Sequence, residues 1–289
     1  MTDHHDHTEI YNRGLQFDVN TLLERRRLLA MFAGVGVATL VGCSAEPSSP
    51  APASPAPSDA ASSAGTSVAA TSPAAAADTG PNTEIAEETA GPYPGDGSNG
   101  PNILTQSGIV RRDIRSGIGS ASAVAQGVPL TINLTVLDLA ANAVPLAGGA
   151  VYLWQCDREG RYSMYSQGVT NENYLRGVQE VDASGKVSFT SVFPGCYAGR
   201  WPHIHFEVYR SLASATAAGN KIATSQIALP KDSCDAVYAS SGYATSATNL
   251  TRVSLESDMV FRDGWTEELG TVSGTVGSGL TVALKAPVR

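Results

Sequence analysis

The chain is short of histidine, cysteine and charge, and each shortage narrows what it can be. Of its 289 residues 16% are charged, and the net charge is −8. A lightly charged, acidic chain carries no footprint for nucleic acid or for an anionic membrane surface. The four cysteines, Cys43, Cys156, Cys196 and Cys234, are too widely spaced for a zinc-finger pattern. Only five histidines are present, and three of them (His4, His5, His7) fall in a polar leader. Helical periodicity is weak and no repeat of domain size is visible. The apolar run that ends at Val41 is about 14 residues, too short to cross a bilayer as a helix.

That run is nevertheless informative. It follows Arg25-Arg26-Arg27-Leu28-Leu29 and closes with Leu40-Val41-Gly42-Cys43. Paired arginines before two leucines look like a twin-arginine export signal, and the closing tetrapeptide resembles a bacterial lipobox. Residues 1–43 are therefore expected to export the chain and to anchor it by a lipid on Cys43 at the outer face of the cytoplasmic membrane. An ordinary signal peptide without lipid is the simpler alternative. Residues 44–83 are almost wholly Ala, Pro, Ser, Thr and Gly, which bury too little apolar surface to offset chain entropy, and they read as a disordered tether.

The remaining residues, 84–289, suit one domain. Runs rich in Val, Ile and Thr at 128–139, 149–155, 186–193, 203–210, 221–229 and 271–284 are separated by Gly, Asn and Asp turns. They predict an all-β sandwich of mainly antiparallel strands with long loops. A short helical turn is expected only near 235–240.

Within one of these strands stands His203-Ile204-His205-Phe206-Glu207-Val208-Tyr209. Side chains two apart on a strand share a face, so His203 and His205 lie together, opposite Ile204, Phe206 and Val208. Two adjacent imidazoles can grip one ion without bending the backbone. Glu207 shares their face one step further along, where it is free to point at solvent. No cysteine or carboxylate stands in an obvious third-ligand position. Two tyrosines lie near in sequence: Tyr162, in Gly160-Arg161-Tyr162-Ser163, and Tyr197, in Pro194-Gly195-Cys196-Tyr197. Singly, each reads as a packing residue.

Taken in order, the Gly91-Pro92-Tyr93 opening, Gly160-Arg161-Tyr162, Leu175-Arg176-Gly177, Asp182-Ala183-Ser184-Gly185, Pro194-Gly195-Cys196-Tyr197, Arg200-Trp201-Pro202-His203-Ile204-His205 and Ser225-Gln226-Ile227 resemble the intradiol ring-cleavage dioxygenases. That family includes the catechol and protocatechuate dioxygenases. The resemblance implies a non-haem Fe(III) ion held by Tyr162, Tyr197, His203 and His205, with Tyr162 and His203 equatorial and Tyr197 and His205 axial. It implies a catechol-type substrate, opened with O2 to a cis,cis-muconate-type diacid. Arg200 and Gln226 would serve catalysis beside Tyr197, and Tyr93, Tyr174 and Arg176 would wall the pocket, unless Arg176 makes a structural salt bridge. The donor set is coherent on its own chemistry, because two hard phenolates favour a trivalent ion. The chain departs from better-known members in its very short 197–203 loop and in lacking a helical N-terminal dimerisation region. Rival readings are a non-catalytic tethered β-sandwich binding module for polysaccharide or aromatic polymer, and a zinc hydrolase built on the two histidines. If Cys43 carries lipid, three cysteines remain and an exported location permits one disulfide. The preferred pair is Cys196 with Cys234, which would pin the loop holding Tyr197. Cys156 with Cys196, or buried free thiols, are the alternatives.

Overall fold

The computed structural model describes residues 82–289. The export segment, Cys43 and all but the last two tether residues lie outside the described residues. Two sheets are organised around two alternating strands. In β1 (Pro129–Asp138), Leu130, Ile132, Leu134 and Val136 are buried while the residues between them are less so, the pattern of a one-sided strand. One edge of β1 pairs antiparallel with β5 (Lys186–Val192) and, further along, with the two-residue β2 (Val144–Pro145). Its other edge runs parallel to β9 (Gly279–Val288), which forms a hairpin with β8 (Thr271–Thr275). The single strand expected over 271–284 is thus two. Gly274 makes the turn possible, with φ at +94° and a Cβ position only 2.4 Å from the Gly279 carbonyl oxygen.

The second sheet is antiparallel throughout, in the order β4 (Arg176–Glu180), β3 (Ala150–Trp154), β6 (His203–Tyr209), β7 (Lys221–Ala228). Residues 176–180 fall outside the strands expected from the sequence, and Arg-Gly-Val-Gln-Glu shows no hydrophobic alternation. It is a strand because β3 offers it a full ladder. Gly177 also lets residues 111–114 pass over it, since a Cβ there would lie 2.5 Å from the Ile114 side chain.

Between the sheets, Ile132, Leu134, Phe189 and Val282 pack with Leu153, Ile204, Phe206, Val208 and Ile227 in one continuous core. The outer face of the second sheet is covered as well. Tyr152, Trp154 and Tyr209 pack there under Ile103, Leu104, Ile109, Tyr162 and Tyr165 from the long loops. All seven residues of β6 are consequently buried.

Two short helices follow β7. Helix α1 (Lys231–Tyr238) starts earlier than the expected turn, directly after Pro230, and buries Cys234, Val237 and Tyr238 on one face. Helix α2 (Ala244–Leu250) has no amphipathic stripe to announce it and buries only Ser246 and Leu250. Among the described residues no helix is long and apolar enough to cross a membrane.

Candidate metal centre

The period-two geometry of β6 turns both imidazoles to the outer face of the second sheet, where their Nε2 atoms approach to 3.0 Å. The Tyr197 hydroxyl lies 3.3 Å and the Tyr162 hydroxyl 3.4 Å from the same His203 Nε2. Donors held about 2 Å from a shared ion sit about 3 Å apart, so the spacing is that of a ligand set. His203 Nδ1 donates to the Trp201 carbonyl at 2.5 Å, which leaves the Nε2 lone pair facing the other donors. His205 lies flat on Trp154, its cross-strand partner, with ring centroids 4.8 Å apart and planes within 5°. Tyr162, His203 and His205 are buried, whereas Tyr197 is half-buried and followed by exposed Ala198 and Gly199. The open side of the site is therefore at Tyr197.

Each tyrosine is held by a separate device. Asp157 stabilises the turn before Tyr162 by accepting from the Glu159 and Arg161 N–H groups, the Arg161 side chain and the Tyr174 hydroxyl. Gly160, at φ +82°, lets the Tyr197 backbone pass, since a Cβ there would lie 3.1 Å from Tyr197 Cβ. The segment that carries Tyr197 is clamped by the helical region. Tyr238 donates to the Pro194 carbonyl, Tyr243 to the Phe193 carbonyl and Asn249 to the Cys196 carbonyl, while Ser246 accepts from Cys196 N.

This clamp replaces the expected disulfide. Cys156, Cys196 and Cys234 are all free and buried, and neither proposed bridge is formed. They pack as small hydrophobes, with Sγ contacts to the carbonyls of Gly195, Arg200 and Leu229.

Arg200 and Gln226, which could have faced water, are buried beside the imidazoles. Arg200 Nη2 donates to Gln226 Oε1 at 2.6 Å, and Gln226 Nε2 donates to the Thr89 carbonyl at 2.9 Å. Gln226 stands opposite His205 in the β6–β7 ladder. Arg200 Nε meets Asp258 at 3.0 Å, and its guanidinium lies over Phe261, which faces His203 edge-on.

Other expectations are corrected. Among the described residues Arg176 has no carboxylate partner, and its donors are turned away from the site. It is fully buried and donates to the carbonyls of Tyr93, Pro94 and Ser163 and to the Tyr152 hydroxyl, stitching the opening loop to the sheet. Tyr174 braces Asp157 instead of lining the pocket. Tyr93 does reach the site, its ring packed against Tyr162 with centroids 5.0 Å apart and planes tilted by 36°. Glu207 does not face solvent: it is buried, accepting from Lys221 at 2.8 Å and from Tyr209 at 2.7 Å. Asp258, Thr89, Trp154 and Phe261 were missed, and only the β3–β6 pairing would have pointed to Trp154.

Burial sets the resting charge state. It pushes the Tyr162 phenol well above its usual range and lowers His203 to about 3, with His205 also driven well down by burial and by His203. Neutral imidazoles are ready ligands, and a bound cation would reverse the burden on the phenols. Asp258 behaves differently: burial pushes its carboxyl up, but Arg200 and the Trp201 and Val260 N–H groups outweigh burial and hold it below the usual range. Nearby, burial raises Glu88 to about 8, reinforced by Asp263, and raises Glu268 to about 9, reinforced by Glu88. Among the described residues no three His, Cys, Asp or Glu side chains meet in metal-binding geometry, so the zinc-hydrolase reading finds no third ligand of that kind. Two imidazoles completed by two phenols fit a hard trivalent ion such as Fe(III).

A family model described as Dioxygenase matches residues 118–241. That span contains Tyr162, Tyr197, Arg200, His203, His205 and Gln226 but not Asp258. No curated protein sequence matches the chain. Among solved structures, the chain is similar to an intradiol ring-cleavage dioxygenase from Tetranychus urticae, at 24% identity and a TM-score of 0.54, covering 72% of this chain and 94% of that one. It is also similar to the dioxygenase Tetur07g02040, at 25% identity and a TM-score of 0.52, covering 64% and 88% respectively. The dioxygenase domain of a dioxygenase–carbohydrate-binding protein fusion from Streptomyces sp. SirexAA-E matches at 22% identity and a TM-score of 0.44, covering 71% and 97%. The fold is that of the first two of these structures.

Proposed function

We propose that the chain is a non-haem Fe(III) intradiol dioxygenase that opens a catechol-type ring between its two hydroxyl-bearing carbons, placing both atoms of O2 in a cis,cis-muconate-type diacid. The observation that carries this reading is the convergence of the Tyr162 and Tyr197 hydroxyls and the His205 imidazole within 3.4 Å of His203 Nε2. The family model and the shared fold support it. Tyr162, Tyr197, His203 and His205 would hold the iron, which when bound supplies a Lewis acid that takes the catechol as its dianion and primes the ring for O2.

The chain's own residues do the rest. Tyr197, at the open side, would hold the iron where substrate enters, and its phenolate would be placed to accept a proton from an incoming catechol hydroxyl. The neutral imidazoles stay in place, one fixed by the Trp201 carbonyl and the other by its stack on Trp154. Arg200, the cation held beside them, stabilises negative charge that develops on the ring. Gln226 sets the direction of Arg200 Nη2.

The test is made on the full chain supplied with iron, catechol and O2. Expected are bound iron, a burgundy colour from tyrosinate-to-Fe(III) charge transfer, and a muconate-type product. A colourless, iron-free protein would favour the tethered binding module, and a ring-opened aldehyde would signify extradiol cleavage. Either result overturns the proposal. The reading includes export and a lipid anchor at Cys43, supported by the Arg25-to-Cys43 pattern. Loss of membrane association in Cys43→Ala checks that part.

A further inference from the structure

We infer that Asp258 is a positioning residue of this reaction, acting through Arg200 by holding it in the attitude in which it faces the substrate ring. The inference rests on the proposed function and goes beyond the motif residues, since Asp258 lies past the matched segment and 58 positions after Arg200.

The geometry is that of a four-point hub. Asp258 is fully buried. One carboxylate oxygen, Oδ2, accepts from Arg200 Nε at 3.0 Å and from Trp201 N at 2.6 Å. The other, Oδ1, accepts from Val260 N at 2.8 Å and from Phe261 N at 3.2 Å. A single carboxylate thus joins the segment before the histidines to the turn carrying Phe261, the ring under the Arg200 guanidinium.

Two consequences follow for the site. First, Arg200 is gripped at two places, Nε by Asp258 and Nη2 by Gln226, and Gln226 is itself tied to the Thr89 carbonyl. A planar guanidinium held at two of its nitrogens cannot rotate about its long axis, so its face toward the imidazoles is set before substrate arrives. Second, Trp201, whose N–H Asp258 holds, offers its carbonyl to His203 Nδ1. The same hub therefore stands one residue behind the hydrogen bond that selects the His203 tautomer. A buried ionised carboxylate is costly unless it is paired and hydrogen-bonded, and all four acceptor positions here are spent on these elements. Asparagine cannot replace it: its one oxygen would serve at most two of the four donors, and its amide would point N–H groups at the rest.

The experiment is a double-mutant cycle on the full iron-loaded chain: wild type, Asp258→Asn, Arg200→Ala and the double variant. Three quantities are read: kcat and KM for catechol, the dissociation constant of 4-nitrocatechol by optical titration, and the position of the charge-transfer band. Asp258→Asn is expected to lower kcat about 10- to 100-fold, the range in which a small displacement of a catalytic group falls. It should keep the band in place and hold the 4-nitrocatechol constant within about threefold, and it should add little further loss in the Arg200→Ala background. Wild-type kcat in Asp258→Asn overturns the inference, as does an equal fractional loss in both backgrounds, which marks a general structural role. If Asp258→Asn does not fold, Asp258→Glu keeps the charge and moves it by one methylene, and wild-type kcat there overturns the inference in the same way. A wild-type chain that binds iron but leaves catechol intact overturns the proposed function itself, and the inference falls with it.

Discussion

Strand β6 buries both of its faces, yet the two are built from opposite chemistries. The inner face, Ile204, Phe206 and Val208, packs in the apolar core with Ile132, Leu134, Phe189 and Val282 of the facing sheet. The outer face carries His203, His205, Glu207 and Tyr209, all buried and each with a polar partner: Trp201, His203, Lys221 and Glu207 in turn. Burial on the inner face stabilises directly, by roughly 1.5–3 kcal/mol for each large side chain. On the outer face it acts against the charged forms, lowering the two imidazoles and raising Glu207 to about 7. One face thus holds the fold, while the other keeps its two imidazoles neutral. The chain maintains the second arrangement by covering it with the loops that bring Tyr93, Tyr162 and Tyr165.

This contrast can be broken from either side. The largest expected effect is on the outer face: His205→Ala should abolish iron retention and turnover while the chain stays folded, checked by metal analysis and circular dichroism on one sample. Iron held at the wild-type level in that variant would show that the imidazoles are not ligands. On the inner face, Phe206→Ala should cost about 3–5 kcal/mol in urea unfolding yet leave residual folded protein able to bind iron. Equal iron loss in the two variants would erase the distinction between the faces.

A smaller effect tests the burial of carboxyls beside β7 through pH. Glu88 and Glu268 have folded-state values of about 8 and about 9, above an ordinary 4.5. Both bind their protons more tightly in the folded chain. The stabilisation they contribute is fully present below about pH 4.5, and it is lost as pH rises to about 9. Urea unfolding of the wild type should therefore weaken over that window, by at most about 1.4 kcal/mol per pH unit for each group. Glu88→Gln with Glu268→Gln should flatten the dependence, and an unchanged slope would remove these carboxyls from the account.

What could be read without coordinates divides along the same line. The histidine pair was legible because a period of two is local, and strands near 129–138, 150–154, 186–192 and 221–228 were legible for the same reason. Strand β4 was not, because its pattern is silent and its stability comes from the β3 edge. The 271–284 run concealed a hairpin, since both arms are Val- and Thr-rich and the turn rests on glycines with positive φ. The Tyr162 and Tyr197 pairing was legible only through motif order, as nothing in either tyrosine's neighbourhood distinguishes a ligand from a packing ring. Reading Arg176 as a pocket wall failed because it stands in strand β4 and its donors are taken up by the carbonyls of Tyr93, Pro94 and Ser163.

By itself, the order of residues determined the alternation that sends His203 and His205 to one face, the hard-donor chemistry available to them, and the sandwich that buries the opposite face. These depend on neighbours a few positions apart, where backbone geometry alone dictates direction. Only the tertiary structure decided that the thiols stay free, that Glu207 turns to Lys221, and that Arg200 is gripped by Asp258 and Gln226. Those outcomes depend on which distant groups arrive first at hydrogen-bonding distance inside a closed interior, and that competition has no signature along the chain.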